Sequence, residues 1–349
     1  RHEGSPISLA CMLICAARCF GASANALADL SEDKAQSNPC KTWHWGVFVA
    51  LQVALINSAT PSVYQKNMQF WFGLLSKWPL WALHAVGQLL GWLAWLLSPT
   101  YRKRFLDNAA TAGLKFSQVV GAVGHAGSMS SELPRLWLGQ PVPVTWANDS
   151  LSVLRQAYES GKGVLLLTPH LGCFEVTAQA ITDAFSQAHG PLTVLYRPSR
   201  KAGLADVMES SRGRPGLEPV PTTMAGVRQM IKALRAGRAV GLLPDQVPPE
   251  GQGVWSRFFG QDAYTITLAV RLARQTGARV VMGWCERLPQ GQGFISHFEP
   301  WDDVGLHDAQ VPIEATVLAM NQRIEAMVRR TPGQYLWGYA RDKQPRAEV

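Results

Sequence analysis

The stretch GVLLLTPHLGCFEVTAQAITDAF, residues 163–185, decides the fold. Gly163–Thr168 is a short continuous apolar run of the kind that forms a strand buried on both faces. Pro169 ends it because proline cannot donate to a strand ladder. Gly172 permits a tight turn, and residues 174–185 carry apolar side chains at helical spacing. The pattern recurs downstream, with a strand at 191–197, an amphipathic helix at 224–237, a strand at 239–245 and a helix at 265–277. Strands at 278–287 and 294–300 and a helix at 317–330 follow, and no fixed-period repeat accompanies them. Strands alternating with helices predict an α/β fold, a mainly parallel sheet flanked by helices. Upstream, 105–160 reads mostly as helix, stopped at Gly161.

Ligands of such sheets bind beyond the carboxyl ends of the strands. His170, Arg197 and Asp245 all fall at or just after predicted strand ends, so topology gathers them at one edge. An imidazole there can take a proton from a hydroxyl, and Glu175, five positions on, can hold it in the right tautomer. By spacing alone a His–Glu pair also suits a structural contact, and Arg197 suits either a phosphate or an ion pair bracing a strand end. Backbone N–H groups near Gly172 are candidates for stabilising an oxyanion. Cys173, within the same run, also invites a nucleophile reading. The pattern lacks two histidines at i, i+4 and an obvious third ligand, so neither a metal nor a cofactor is expected.

Composition narrows the partners. The chain has 349 residues, 47% hydrophobic and only 17% charged, with a net charge of +8, which excludes extensive disorder and favours anionic partners. Residues 1–67 carry +1, so the remaining +7 belongs to the body. Seven of the 13 tryptophans lie between 43 and 95, and the uncharged segment PLWALHAVGQLLGWLAWLLS, 79–98, has about the length a helix needs to cross a bilayer. A helix lying in the interface, or buried in a core, satisfies the same length. Arg102, Lys103 and Arg104 follow at once, a cluster retained on the cytoplasmic side. Residues 1–67 are expected to be a poorly defined extension outside the functional protein, 68–104 the membrane anchor and 105–349 the catalytic domain. Cys173 and Cys285 are the only cysteines after residue 40, in keeping with a reducing compartment. Basic residues are dispersed rather than interleaved with aromatics, which disfavours nucleic acid.

Further phrases complete the pattern: LYRPSR at 195–200, ESSRGRPG at 209–216, PDQ at 244–246, RFFG at 257–260 and QYLWGYARDK at 334–343. With HLGCFE at 170–175 and the apolar segment, their order resembles the late acyltransferases of lipid A biosynthesis, within the H-x4-D/E lysophospholipid-type acyltransferases. The resemblance covers about 68–343. It departs from the family block, usually H-x-G-N-W-E, at Cys173 and Phe174, and from a more basic ending at Tyr339–Lys343, where Asp342 replaces an apolar position.

The resemblance implies a glycerol-3-phosphate acyltransferase-like fold with an N-terminal membrane-anchor helix. The activity it implies is transfer of a fatty acyl chain from acyl-acyl carrier protein to a hydroxyl of a lipid A precursor, at the cytoplasmic face of a Gram-negative inner membrane. His170 would then be the general base and Glu175 its orienter, with Arg197, Arg212 and Asp245 as substrate-binding residues. Arg212 would meet a phosphate or the oxyanion, and Asp245 would position that arginine or the acceptor. Lys201, Arg212, Arg214, Arg228, Lys232 and Arg235 could meet the acidic carrier, the last three otherwise forming a solvated helix face. Two other readings stay open: the same chemistry on another glycolipid or amino-lipid, and a membrane-anchored lipid-binding protein without turnover.

Overall fold

The computed structural model describes residues 69–196, 215–303 and 305–347. The lead-in includes the helices α1 (Leu80–Leu97), α2 (Pro99–Thr111), α3 (Phe116–Val119), α4 (Gly121–Ser131) and α5 (Leu133–Leu138). The chain then runs β1 (Val144–Trp146), α6 (Ser150–Glu159), β2 (Val164–Leu167), α7 (Phe174–His189), β3 (Leu192–Tyr196), β4 (Leu217–Pro221) and α8 (Met224–Arg235). It closes with β5 (Ala239–Leu242), β6 (Gly253–Phe258), β7 (Gln261–Ile266), α9 (Leu268–Thr276), β8 (Arg279–Arg287), β9 (Phe294–Pro300) and α10 (Ile313–Arg330).

Seven strands form one sheet in the order β1-β9-β8-β2-β5-β3-β4. β8, β2, β5, β3 and β4 are mutually parallel, whereas β9 runs antiparallel to β8 and carries β1 beside it. The central strand β2 explains the architecture. All four of its residues are buried, and successive side chains point to opposite faces. Leu165 and Leu167 join Met230, Leu234, Val270 and Ile324 from α8, α9 and α10, while Val164 and Leu166 join Leu154, Tyr158, Ile181 and Phe185 from α6 and α7. Each such leucine contributes about 1.5–3 kcal/mol of burial.

The sheet departs from the sequence reading at its margins. β1 and the edge strand β4 were not anticipated, and β6 and β7 pair as a separate antiparallel hairpin. The helix expected from 265 starts only at Leu268, and the one expected from 317 starts at Ile313.

α1 is long and apolar enough to cross a membrane, yet 28% of it is buried against the protein. It lies on α4 at glycine-to-backbone distance: a Cβ on Gly91 would stand 2.2 Å from the Val123 carbonyl oxygen, and one on Gly127 1.9 Å from that of Gly87. On its other side Trp81, Leu89, Trp92, Leu96 and Leu97 are exposed.

Candidate active site

Register sets the site. Leu167 of β2 pairs with Leu242 of β5, and three residues beyond each come His170 and Asp245. Two parallel neighbours that end level therefore deliver an imidazole and a carboxylate side by side. Asp245 Oδ1 lies 2.7 Å from His170 Nδ1, and its Oδ2 accepts from the His170 backbone N–H at 2.8 Å. The carboxylate side chain is 2% exposed and the imidazole 14%. Burial pushes the Asp245 carboxyl up, but the charge and hydrogen bonds of His170, followed by the Arg341 guanidinium, outweigh it and hold the carboxyl below its ordinary range.

An ionised carboxylate only accepts, so Nδ1 carries a hydrogen, and in the neutral imidazole Nε2 is then the ring's acceptor. That acceptor faces the open side, where the Gln246 side-chain amide donates to it at 3.0 Å. The pair thus has the geometry of a general base: a carboxylate behind, a fixed tautomer, and Nε2 directed at whatever binds in place of the Gln246 amide.

The turn carrying His170 is stitched down on every side. Gly172 takes φ +62°, and a Cβ there would stand 1.9 Å from the Cys285 carbonyl oxygen. Leu171 N–H donates to Pro169, Gly172 N–H to Gln334, Cys173 N–H to Cys285, and Thr168 N–H to Leu242. The His170 carbonyl accepts from Leu336 N–H at 3.1 Å. Every backbone donor from 170 to 173 is therefore committed inside the protein, so none of these four is available to an oxyanion.

The position at Nδ1, expected for Glu175, is filled by Asp245. Glu175 sits in the first turn of α7, where the helix N-terminus favours a carboxylate, and its Oε2 accepts from Trp137 Nε1 at 3.2 Å. Arg197 and Arg212, together with Lys201 and Arg214, lie outside the described residues. Cys173 is the residue before the first turn of α7, and its thiol is buried. Burial, then the charge of Glu132, raises that thiol well above its ordinary value, so it is no thiolate nucleophile.

Beneath this turn lies an ionic cluster with no local sequence signal. The Arg287 guanidinium grips both oxygens of Glu132, and His84 Nε2 meets Glu132 Oε2 at 2.9 Å. Arg287 also exchanges two backbone bonds with the Gln334 side chain. The cluster thereby links α1 to the segment that holds Gly172. Among the described residues no group of histidine, cysteine and carboxylate side chains is placed to hold a metal.

A cavity of about 130 Å³ is lined by Phe258, Phe259, Tyr335, Trp337 and Arg341, among others. Burial, then the charge of Asp245, raises the Tyr335 hydroxyl well above its ordinary value, which keeps it a donor. Arg341 is 6% exposed and donates to Tyr264 O and Thr265 Oγ1 at 2.7 Å. The arginine of the C-terminal phrase thus braces the interior and does not face a lipid headgroup. Sequence reasoning missed Gln246 and Tyr335; both stand inside phrases it singled out, and the PDQ turn was the usable signal.

Comparison with known proteins agrees with this geometry. A family model described as bacterial lipid A biosynthesis acyltransferase matches residues 144–343. The chain is 24% identical over 187 residues to a lipid A biosynthesis acyltransferase of Haemophilus influenzae, covering 54% of this chain and 56% of that protein. It is 28% identical over 192 residues to a lipid A biosynthesis lauroyltransferase of Escherichia coli, covering 54% and 59%. The chain thus spans a little over half the length of each relative. The family match takes in all seven strands of the sheet, the His170–Asp245 pair and the C-terminal segment that pins the His170 turn, and the chain belongs to the bacterial lipid A biosynthesis acyltransferases.

Proposed function

We propose that this protein transfers a fatty acyl chain from acyl-acyl carrier protein to a hydroxyl of a Kdo-bearing lipid A precursor, with His170 as general base. The single observation that carries this is the buried carboxylate held on Nδ1 while Nε2 turns to the open side against the Gln246 amide. The acceptor hydroxyl displaces the Gln246 amide and gives its proton to Nε2 as its oxygen bonds the thioester carbonyl carbon. Asp245 stabilises the imidazolium that forms. The tetrahedral intermediate then expels the carrier thiolate, which takes the proton back from Nε2. With the backbone donors at 170–173 spent, Arg212 is the family-matched side-chain candidate for the oxyanion. Arg197 suits the precursor's phosphates through bidentate bonding. Glu175, anchored by Trp137, shapes the first turn of α7 beside the base.

Membrane attachment follows from α1. A helix held along α4 by Gly87, Gly91, Gly124 and Gly127 lies along the bilayer surface, with Trp81, Leu89, Trp92 and Leu96 in the interface and Arg102, Lys103 and Arg104 near anionic headgroups. This geometry favours a peripheral anchor of the inner membrane over a span, with the catalytic site on the cytoplasmic face. It also brings a lipid hydroxyl toward the strand edge without lifting the lipid from the bilayer.

The test incubates membranes holding the full chain with labelled acyl-carrier protein and the tetra-acyl, Kdo-bearing precursor. A gain of one acyl chain in the mass of the precursor supports the proposal. Transfer to another glycolipid or amino-lipid instead moves the acceptor, and no transfer to any lipid refutes it.

A further inference from the structure

The outer surface of α8 carries a feature that the proposed chemistry does not use. The helix buries Gly226, Met230, Ala233 and Leu234 and leaves Arg228, Lys232 and Arg235 exposed at i, i+4 and i+7, a single stripe. With Gln275 of the neighbouring α9 they wall a groove floored by Ile231 and Ala236. None of the three cations has a carboxylate partner among the described residues, whereas Arg238, Arg257, Arg279, Arg323 and Arg330 each do. The only large exposed hydrophobic on α8 is Met224, unlike the tryptophan-rich face of α1.

Topology orients the groove. β4 ends at the strand-carboxyl edge, α8 starts there at Met224 and runs back to Arg235, and β5 then returns to the edge that bears Asp245 and Gln246. From Arg235 to Arg228 the stripe climbs about 10 Å toward the active edge.

We propose that this groove docks the acidic carrier protein that presents the acyl thioester, an acidic helix lying along the Arg228–Lys232–Arg235 stripe while a flexible arm carries the thioester over the edge to His170. This rests on the donor reading of the preceding section. Charge complementarity selects the occupant: an anionic helix supplies the carboxylates the stripe lacks, and an apolar floor of only Ile231 and Ala236 gives a bilayer little to bury.

The test is the full-length triple variant Arg228→Glu, Lys232→Glu, Arg235→Glu, checked for an unchanged thermal midpoint. The triple variant Arg155→Glu, Lys162→Glu, Arg346→Glu, on exposed sites elsewhere, makes the same change of net charge and controls for it. The readout is kcat/KM on acyl-carrier protein divided by kcat/KM on the same acyl group as a thioester of free pantetheine. In the stripe variant this ratio falls about 10-fold or more at low salt, through KM, and the deficit shrinks as salt rises. Titration of fluorescently labelled, unacylated carrier onto the protein shows the same weakening without turnover. An unchanged ratio and unchanged titration, or an equal loss in the control, overturn this surface. A wild-type ratio of one, no preference for the carrier, contradicts the donor reading itself.

Discussion

Replacing Glu132 by Gln is the most informative test of the framework under the site. Both side chains of the Glu132–Arg287 pair are 1% exposed. Arg287 Nε reaches the two Glu132 oxygens at 3.2 and 2.9 Å, and Nη2 adds a further bond. Burial pushes the Glu132 carboxyl up, but the charge and hydrogen bonds of Arg287, then those of His84, bring it down to about 2 from 4.5. A displacement of that size corresponds to about 3 kcal/mol of folding stability. Glu132→Gln leaves Arg287 buried without a counter-charge, a cost of about 3–5 kcal/mol, in agreement with that figure. Because the folded carboxyl titrates below the unfolded one, the stabilisation is complete above about pH 5 and is lost as pH falls toward 2. Urea unfolding in detergent, followed by tryptophan fluorescence, should show the variant's midpoint lowered by about 1 M or more at pH 7. The gap should close at low pH. A deficit under about 1 kcal/mol at pH 7, or one that persists undiminished down to pH 2, would refute the reasoning.

Three further outcomes follow from neighbouring contacts. Asp245→Asn keeps the shape but lets Nδ1 lose its ionised acceptor, so kcat should fall about 10,000-fold with little change in donor KM; steady-state kinetics within about tenfold of wild type would contradict the pairing. His125, held down to about 4 from 6.5 by burial and then by Arg287, stays neutral at pH 7 and makes the fold lose stability as pH drops from about 6.5 to 4. His125→Phe should flatten the unfolding midpoint across that window, and an unaltered slope would show that His125 is not its source. Gly172→Ala forces a Cβ against the Cys285 carbonyl at a left-handed φ, so both the thermal midpoint and turnover should drop; an unaffected enzyme would mean the turn can relax.

What the sequence disclosed was whatever depends on local pattern. The unit from β2 to α7 was legible because an apolar run, a proline and a glycine fall in order, and Asp245 could be placed at the edge because strand ends converge there. β4 escaped because its sequence LEPVP holds two prolines, tolerated only because it is the outermost strand of the sheet. The β6–β7 hairpin escaped because its two-residue turn needs positive φ at both positions. Phe259 takes φ +48° beside Gly260 at +79°, and nothing about phenylalanine announces that. The Glu132–Arg287 pair spans 155 positions and the Trp137–Glu175 bond 38, separations at which no spacing rule operates. Choosing between Glu175 and Asp245 for Nδ1 needed the β2–β5 register, which is a tertiary fact.

The central claim is that His170, backed by Asp245, is the base of an acyl transfer to a lipid hydroxyl. The most direct measurement is acyl transfer to the Kdo-bearing precursor by wild type and by His170→Ala, with equal amounts of each protein recovered in membranes. The account predicts one added acyl chain for wild type and none above background for His170→Ala. Transfer by His170→Ala at a rate comparable to wild type would contradict it.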